Sequence, residues 1–266
     1  MSAMTPSFAD RRHGIRTGRW LGSLLLVWTA ITAAWAAADR PKIVNRVNHA
    51  TRVMQHVVTI KESGIPTGLL DHCDGLVIIP RMTKAAFFIG GNYGRGVLIH
   101  HSPDGRWSNP CFVQLRGGDI GFQAGGQFVD LVLVINRRQG LEAILRNKFT
   151  LGVDAGLAVG PLGRYAEAGT DFHLRSEVLA YCLSKGLFAG VSLKGSSLSL
   201  DEDANRVFYR RLYERGQIIS NHQFLFDRML PYPDEVKPLL RLLRGYTQER
   251  VRLTPGSEFK FKPLID

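Results

Sequence analysis

The chain has 266 residues, a formal net charge of +11 and three cysteines, Cys73, Cys111 and Cys182. Three widely spaced cysteines exclude a disulfide scaffold and a cysteine-ligated zinc cluster, and a chain of this length buries a sizeable core without either. The positive charge favours anionic partners such as phospholipid head groups, acidic polysaccharide or nucleic acid, but it is also common among envelope proteins that have no specific anionic ligand.

Residues 1–38 predict an export signal. Arg11, Arg12, Arg16 and Arg19 precede an apolar run, residues 20–38, that contains Ala-x-Ala sites and has no charge before Asp39. This is the pattern of a secretory signal peptide, which places the mature protein in the periplasm or cell envelope of a bacterium. The same run is long enough, at its limit, to remain as an uncleaved membrane anchor. Cleavage would remove four Arg and one Asp, so the net charge would fall from +11 to +8.

The mature chain begins with a predicted amphipathic helix from Lys42 to Lys61. Its apolar residues recur at spacings of three and four, which places them on one face. Arg46 and Arg52 lie off that face, and Gly64 and Pro66 end the helix. The apolar residues are Val44, Val47, Ala50, Met54, Val57 and Val58.

The middle of the chain predicts a strongly curled or closed antiparallel sheet. Of the 28 glycines, 20 fall between Gly75 and Gly195, where they interrupt short apolar runs such as LVIIP, RGVLIHH and QFVDLVLVIN. Repeated glycine within strands indicates bends, bulges or close backbone approach. RRQGLEAILRN predicts an embedded helix, and helical patterns follow from Asp203 and from Asp234. The fold class is therefore predicted as α+β, with no linker between Asp39 and Tyr246.

Candidate catalytic and metal-binding residues are few. His72, Cys73 and Asp74 combine a thiol with a base and an acid, but adjacent side chains point in different directions, and polar residues satisfied at a helix-to-strand junction explain them better. His100 and His101 alternate across a strand, and no second cluster with ligand spacing accompanies them. We therefore predict no catalytic residue, no metal and no cofactor.

Two further features invite a functional interpretation. GGNYGRG has the composition of a phosphate cradle, but it lacks the P-loop lysine and a following helix, so it is predicted to be a turn. Asp130 interrupts the apolar run QFVDLVLVIN, and a solvent-facing position on an edge strand is the ordinary explanation. The sequence shows no basic-aromatic motif of the proteins that bind single-stranded nucleic acid, so nucleic acid is not an expected partner.

Several long motifs, in order, resemble the SYLF domain. They are DGLVIIP, GGNYGRGVL, IGFQAGGQ, VDLVLVIN, FTLGVDAGLAVGPLGR and YCLSKGLFAGVSLKGSSLSLDEDANRVFY, and the resemblance covers about Ile43 to Tyr209. The resemblance implies a non-enzymatic domain that binds acidic phospholipids through an amphipathic N-terminal helix and basic residues. We assign residues 39–246 to this domain and residues 247–266 to a C-terminal tail outside the resemblance.

Carried over by position, the resemblance implies head-group contacts from Lys42, Arg46, Arg52 and Lys61 on the helix, and from Lys84. The expected mechanism is insertion of the apolar face of the helix into an anionic membrane, assisted by these charges. The chain shows no SH3 or FYVE module and carries an export signal, so phosphatidylglycerol and cardiolipin are the expected lipids and actin binding is not expected.

Two alternatives stay open. The helix could pack its apolar face on the sheet and take no part in membrane insertion. The protein could instead be a periplasmic scaffold that uses exposed sheet edges to bind a protein partner.

The export signal makes a direct prediction. The native protein should begin at Ala37 or Asp39, because the small-residue cleavage sites end there. N-terminal sequencing of protein from the native host checks this. Protein that begins at Met1 and fractionates with the cytoplasm would contradict it.

Overall fold

The computed structural model describes residues 18–60, 64–87, 89–119, 125–147, 149–160, 176–184, 187–189, 193–213 and 219–248. The chain divides into two units, residues 1–39 and 40–266. Within the described residues, no helix has the length and apolar character needed to cross a membrane.

In the described residues, helices precede the first strand, follow the last strand and occur once between strands. The predicted embedded and C-terminal helices are confirmed. The predicted start of the first helix at Lys42 was wrong, because the helix begins at Gly18 and continues through Pro41. The helices are α1 (Gly18–Thr59), α2 (Thr67–His72), α3 (Arg138–Leu145), α4 (Glu202–Phe208), α5 (Arg210–Tyr213), α6 (Asn221–Phe226) and α7 (Lys237–Gln248), with a 3-10 turn at Asp234–Val236.

A single curled sheet forms the body of the second unit, which confirms the predicted α+β class. Its strand order is β5-β9-β3-β2-β1-β4-β7-β6, and β8 also pairs with β7. Among the strands of the described residues, β6 pairs with β7 in parallel and the other strand pairings are antiparallel. The strands are β1 (Gly75–Phe87), β2 (Ile89–His100), β3 (Cys111–Asp119), β4 (Gly125–Ile135), β5 (Phe149–Thr150), β6 (Leu157–Val159), β7 (Val178–Ser184), β8 (Leu187–Ala189) and β9 (Ser197–Leu200).

The central strand β1 carries a bulge at Pro80 and Arg81. Its register shifts by one residue against both neighbouring strands in this region. Proline lacks the N–H of a ladder hydrogen bond, so a bulge is one of the few places where a strand accepts it. The strand therefore continues through Pro80 to Phe87 instead of ending there.

Two glycines of β2 make room for this bulge. A Cβ atom at Gly94 would collide with the Ile79 side chain, and one at Gly96 would collide with the backbone of Ile78. The GGNYGRG segment is therefore part of a strand, and its prediction as a turn was wrong. The glycines allow close backbone approach, and the residues between them keep the alternation of a strand.

Asp130 holds the bulge from the opposite side. Its Oδ1 accepts a hydrogen bond of 2.7 Å from the backbone N–H of Arg81, whose φ of +49° lies in the left-handed region. Asp130 belongs to β4, which pairs with β1 on one side and β7 on the other, so the expected edge position was wrong. The carboxylate instead satisfies a backbone donor that the bulge removes from the ladder.

The apolar face of α1 from Ile43 onward lies in the hydrophobic core. Ile43, Val47, Ala50, Met54 and Val57 are buried in the same cluster as the sheet residues. Turning this face toward lipid would expose the core surface that it covers. The structure therefore shows the packed-helix alternative, and the expected insertion of this face into a bilayer is not the arrangement seen.

The DEDANRVFY motif fastens α4 to β3. The Asn205 side chain accepts a 2.7 Å hydrogen bond from the Phe112 backbone N–H and donates one of 3.3 Å to the Phe112 carbonyl. The Tyr209 hydroxyl donates a 2.6 Å hydrogen bond to the Pro110 carbonyl. A side-chain amide thus continues the hydrogen-bond ladder of β3 where β9 no longer reaches it.

Asn205→Ala should destabilise the protein by about 2–3 kcal/mol, since it leaves a buried backbone N–H without a partner. Asn48→Ala is the matched control: Asn48 is exposed on α1, so its loss should change the free energy of unfolding by less than about 0.5 kcal/mol. Urea denaturation of both variants measures the difference. Equal midpoints would show that the Asn205 contacts contribute nothing net.

Candidate functional site

An open cleft of about 280 Å³ lies between α1 and the bulged part of the sheet. We call it the basic cleft. Lys42, Arg46 and His49 line it from α1, Arg81 from the bulge of β1, and Tyr93 and Arg95 from β2. Three elements therefore bring one lysine and three arginines to one depression, which is an arrangement suited to an anion.

The contribution of α1 comes from the helical period. Lys42, Arg46 and His49 are separated by four and three residues, so they lie on one side of the helix, next to its buried face. Lys42 is exposed, and Arg46 and His49 are partly buried. The helix therefore supplies core contacts with one face and positive charge with the adjoining one.

Arg46 is held by an ion pair inside the domain. Its guanidinium lies 2.8 Å from the Asp201 carboxylate, and both side chains are only 13% exposed. It also lies over the Phe112 ring, 5.5 Å from the ring centre. Asp201 caps α4 by accepting a hydrogen bond from Ala204, and it lies 3.9 Å from the Arg95 side chain. Reversing the charge of Arg46 would therefore damage the fold as well as the cleft.

The sheet contributes two arginines that rest on aromatic rings. The Arg81 guanidinium lies 5.3 Å from the centre of the Phe128 ring, and that of Arg95 lies 5.8 Å from the centre of the Tyr93 ring. Arginine keeps its full charge in such stacks and still presents planar N–H donors. Both guanidinium groups can therefore meet an anion in a defined orientation.

The pKa of His49 is lowered first by burial and then by nearby positive charge. Burial lowers the pKa of His49 below its usual value of 6.5, the charges of Arg52 and Arg81 lower it further, and Asp130 opposes them. Because the pKa is lower in the folded state, the neutral ring is the stabilising form. The stability that it contributes is complete above pH 6.5 and is lost as the pH falls toward the folded-state pKa.

The five residues expected to contact head groups do not all meet. Lys42 and Arg46 line the basic cleft, and Arg52 lies exposed on α1 close enough to influence His49. Lys84 occupies the opposite face of the sheet, because it follows Thr83, the cross-strand partner of Tyr93. Lys61 lies outside the described residues. The head-group roles of these residues stay predictions.

Lys84 also has a different environment. Burial raises the pKa of the Cys182 thiol to about 12, and the charge of Lys84 opposes that rise, which places Lys84 near Cys182 instead of near the cleft. Sequence reasoning missed Arg81, Tyr93 and Arg95. The period-two spacing of Tyr93 and Arg95 in GNYGRG would have indicated their common face if the segment had been recognised as a strand.

The other candidate chemical groups have structural roles. Burial raises the pKa of the Cys73 thiol far above its usual value, and its Sγ donates to the Leu70 carbonyl at 3.3 Å, so a thiolate nucleophile is disfavoured. The His100 ring lies 2.6 Å from the Asp74 carbonyl, and His101 stacks on Trp107. Across the described ranges, no group of three or more His, Cys, Asp or Glu side chains could hold a metal ion.

Comparisons with known proteins agree with the resemblance of the sequence motifs to the SYLF domain. Residues 116–246 match the model of the Ysc84 family, described as "Las17-binding protein actin regulator". The chain belongs to the Ysc84, or SYLF, family. It is 35% identical over 186 residues to SH3 domain-containing YSC84-like protein 1 of Homo sapiens and 36% identical over 184 residues to LAS seventeen-binding protein 3 of Saccharomyces cerevisiae.

These similarities cover only part of the relatives. The alignments span 70% of this chain and 52% of the human protein, and 68% of this chain and 38% of the yeast protein. The chain thus spans about half the length, or less, of the curated relatives it matches. The family is one of non-enzymatic actin-regulator and SH3-containing proteins.

The field of the cleft can be measured at His49. In Arg81→Gln the pKa of His49 should be higher than in the wild-type protein, because one of the charges that opposes protonation is removed. An NMR titration of the imidazole signals measures both values. Arg241→Gln, an exposed change on α7, is the control and should leave the titration unchanged. A His49 pKa that is the same in all three proteins would contradict this account.

Proposed function

We propose that this protein binds anionic phospholipid at a membrane surface and holds the head group in the basic cleft. The observation that carries the proposal is the convergence of Lys42, Arg46, Arg81 and Arg95 around a solvent-open depression. Arginine presents paired N–H donors that match the oxygens of a phosphate group. A phosphate group is therefore an anion that suits the site.

Charge supplies the attraction in this mechanism. Each Lys or Arg near an anionic surface adds on the order of 1 kcal/mol, and the effect decays within a Debye length of about 8–10 Å. The four cations of the cleft and the exposed Arg52 of α1 lie close enough together to act on one patch of lipid. The helix would take part through its polar side, while its apolar side remains in the core.

We further propose that the protein is exported and meets its lipid in a bacterial envelope. The arginine-rich start and the apolar run before Asp39 support this, and phosphatidylglycerol and cardiolipin are the anionic lipids that fit the location. The human and yeast relatives are eukaryotic, so cellular fractionation of the native host is the appropriate test.

A protein partner is the second candidate function. The name of the yeast relative and the description of the family both mention Las17 binding, which supports a protein-binding role for the shared domain. The sheet edges offer little for strand addition, because in the described part of the chain the strands at the edges have two or three residues each. A protein partner would therefore use another surface.

Vesicle binding tests the lipid proposal. The double variant Arg81→Gln/Arg95→Gln should bind phosphatidylglycerol vesicles about 30-fold more weakly at low salt, since two charges contribute on the order of 2 kcal/mol. Cosedimentation of the full chain with vesicles measures the affinity. Phosphatidylcholine vesicles report any binding that comes from the apolar residues 20–38 alone.

Arg241→Gln/Arg244→Gln is the matched control, because it removes the same charge from exposed positions of α7 that do not line the cleft. Its affinity should change less than threefold, and wild-type binding should weaken as salt is added. Equal losses in the two double variants would indicate only non-specific attraction. Wild-type protein that does not distinguish phosphatidylglycerol from phosphatidylcholine would exclude the lipid proposal and favour the protein partner.

A further inference from the structure

A row of cross-strand neighbours extends from the basic cleft across the sheet. Arg116 on β3 pairs with Tyr93 on β2, Tyr93 pairs with Thr83 on β1, and Thr83 pairs with Phe128 on β4. Directly opposed residues of neighbouring strands point to the same face of a sheet. These four side chains therefore share one face, which is the face of the basic cleft.

Two large aromatic side chains on this row are exposed to solvent. Tyr93 is 42% exposed and Phe128 is 59% exposed, although both belong to strands inside the sheet order and not at its edge. A single exposed apolar side chain is ordinary on a protein surface. Here two aromatic rings flank the same residue, Thr83, and each lies beneath an arginine of the cleft.

The arrangement fits the interface of a membrane. Aromatic side chains are enriched at the level of the lipid head groups, where one end of the side chain contacts the acyl chains and the other contacts water. Arginine extends its apolar stem along such rings and keeps its charge at the phosphate level. With Arg81 over Phe128 and Arg95 over Tyr93, rings that enter the interface would leave both guanidinium groups among phosphates.

We propose that the row Arg116–Tyr93–Thr83–Phe128 is the membrane-contacting surface of this protein, with Tyr93 and Phe128 entering the interfacial layer of an anionic bilayer. This inference rests on the proposed lipid function and assigns the contact to the sheet instead of to the apolar face of α1. The occupant is a lipid surface, because the aromatic pair is surrounded by the positive charges of Arg81, Arg95 and Arg116.

Phe128→Ser is the test variant, because Phe128 is the more exposed ring and does not line the cleft. It should bind phosphatidylglycerol vesicles at least fivefold more weakly at physiological salt, where charge alone contributes less. Its affinity for soluble glycerol 3-phosphate should equal that of the wild-type protein. Val153→Ser/Met229→Ser removes exposed apolar side chains elsewhere and should change vesicle binding less than twofold.

A second measurement uses Phe128→Trp. Its fluorescence should be quenched by vesicles with brominated acyl chains more strongly than that of the wild-type protein, whose four tryptophans set the background. Urea denaturation verifies that each variant is folded. Unchanged vesicle affinity in Phe128→Ser, or no added quenching in Phe128→Trp, would overturn this inference. If Arg81→Gln/Arg95→Gln still bound vesicles more weakly, the proposed function would stand.

The remaining outcomes also decide the matter. If Phe128→Ser loses glycerol 3-phosphate binding as well, Phe128 acts on the cleft and not on the membrane, and the inference is overturned. If neither Phe128→Ser nor Arg81→Gln/Arg95→Gln affects vesicle binding, the inference and the proposed function fail together.

Discussion

The site depends on the hydrogen bond between the Asp130 carboxylate and the Arg81 backbone. A bulge removes a backbone N–H from the ladder, and a side-chain acceptor can replace the lost carbonyl partner. Asp130 supplies the missing acceptor at 2.7 Å. With the bulge fixed, Arg81 faces the cleft instead of a neighbouring strand, and β2 must carry glycine at positions 94 and 96 to fit against it.

The same carboxylate chemistry balances the positive charge of the cleft. Asp201 pairs with Arg46 and lies near Arg95, and Asp130 partly offsets the effect of Arg81 and Arg52 on His49. Unopposed cations at this density would repel one another and destabilise the folded state. Each of the two carboxylates also accepts a hydrogen bond from a backbone N–H. Their negative charge offsets the repulsion between the arginines, so α1, β1 and β2 can bring these side chains to one place.

Much of the fold could be predicted from the sequence, because glycine clustering and apolar periodicity are local signals. The curled sheet, the embedded helix and the C-terminal helices follow from them. The bulge could not be predicted, since Pro80 ends a strand by its local preference and continues one only with the Asp130 hydrogen bond from β4. The GNYGRG segment resembles a turn for the same reason: its glycines fit against Ile78 and Ile79 of the neighbouring strand β1, and the local sequence does not reveal that contact.

The helix shows why the candidate site was only partly predictable. An apolar stripe with flanking cations describes both a helix that lies in a membrane and a helix that covers a core, because the two environments reward the same pattern. Only packing separates them, and here the stripe from Ile43 to Val57 belongs to the core. Once that face is occupied, exposed apolar surface next to positive charge has to be sought elsewhere. In the described part of the domain, the rings of Tyr93 and Phe128, each beneath an arginine, meet that description. They lie on strands in which glycines interrupt the alternation of side chains that would otherwise identify a strand.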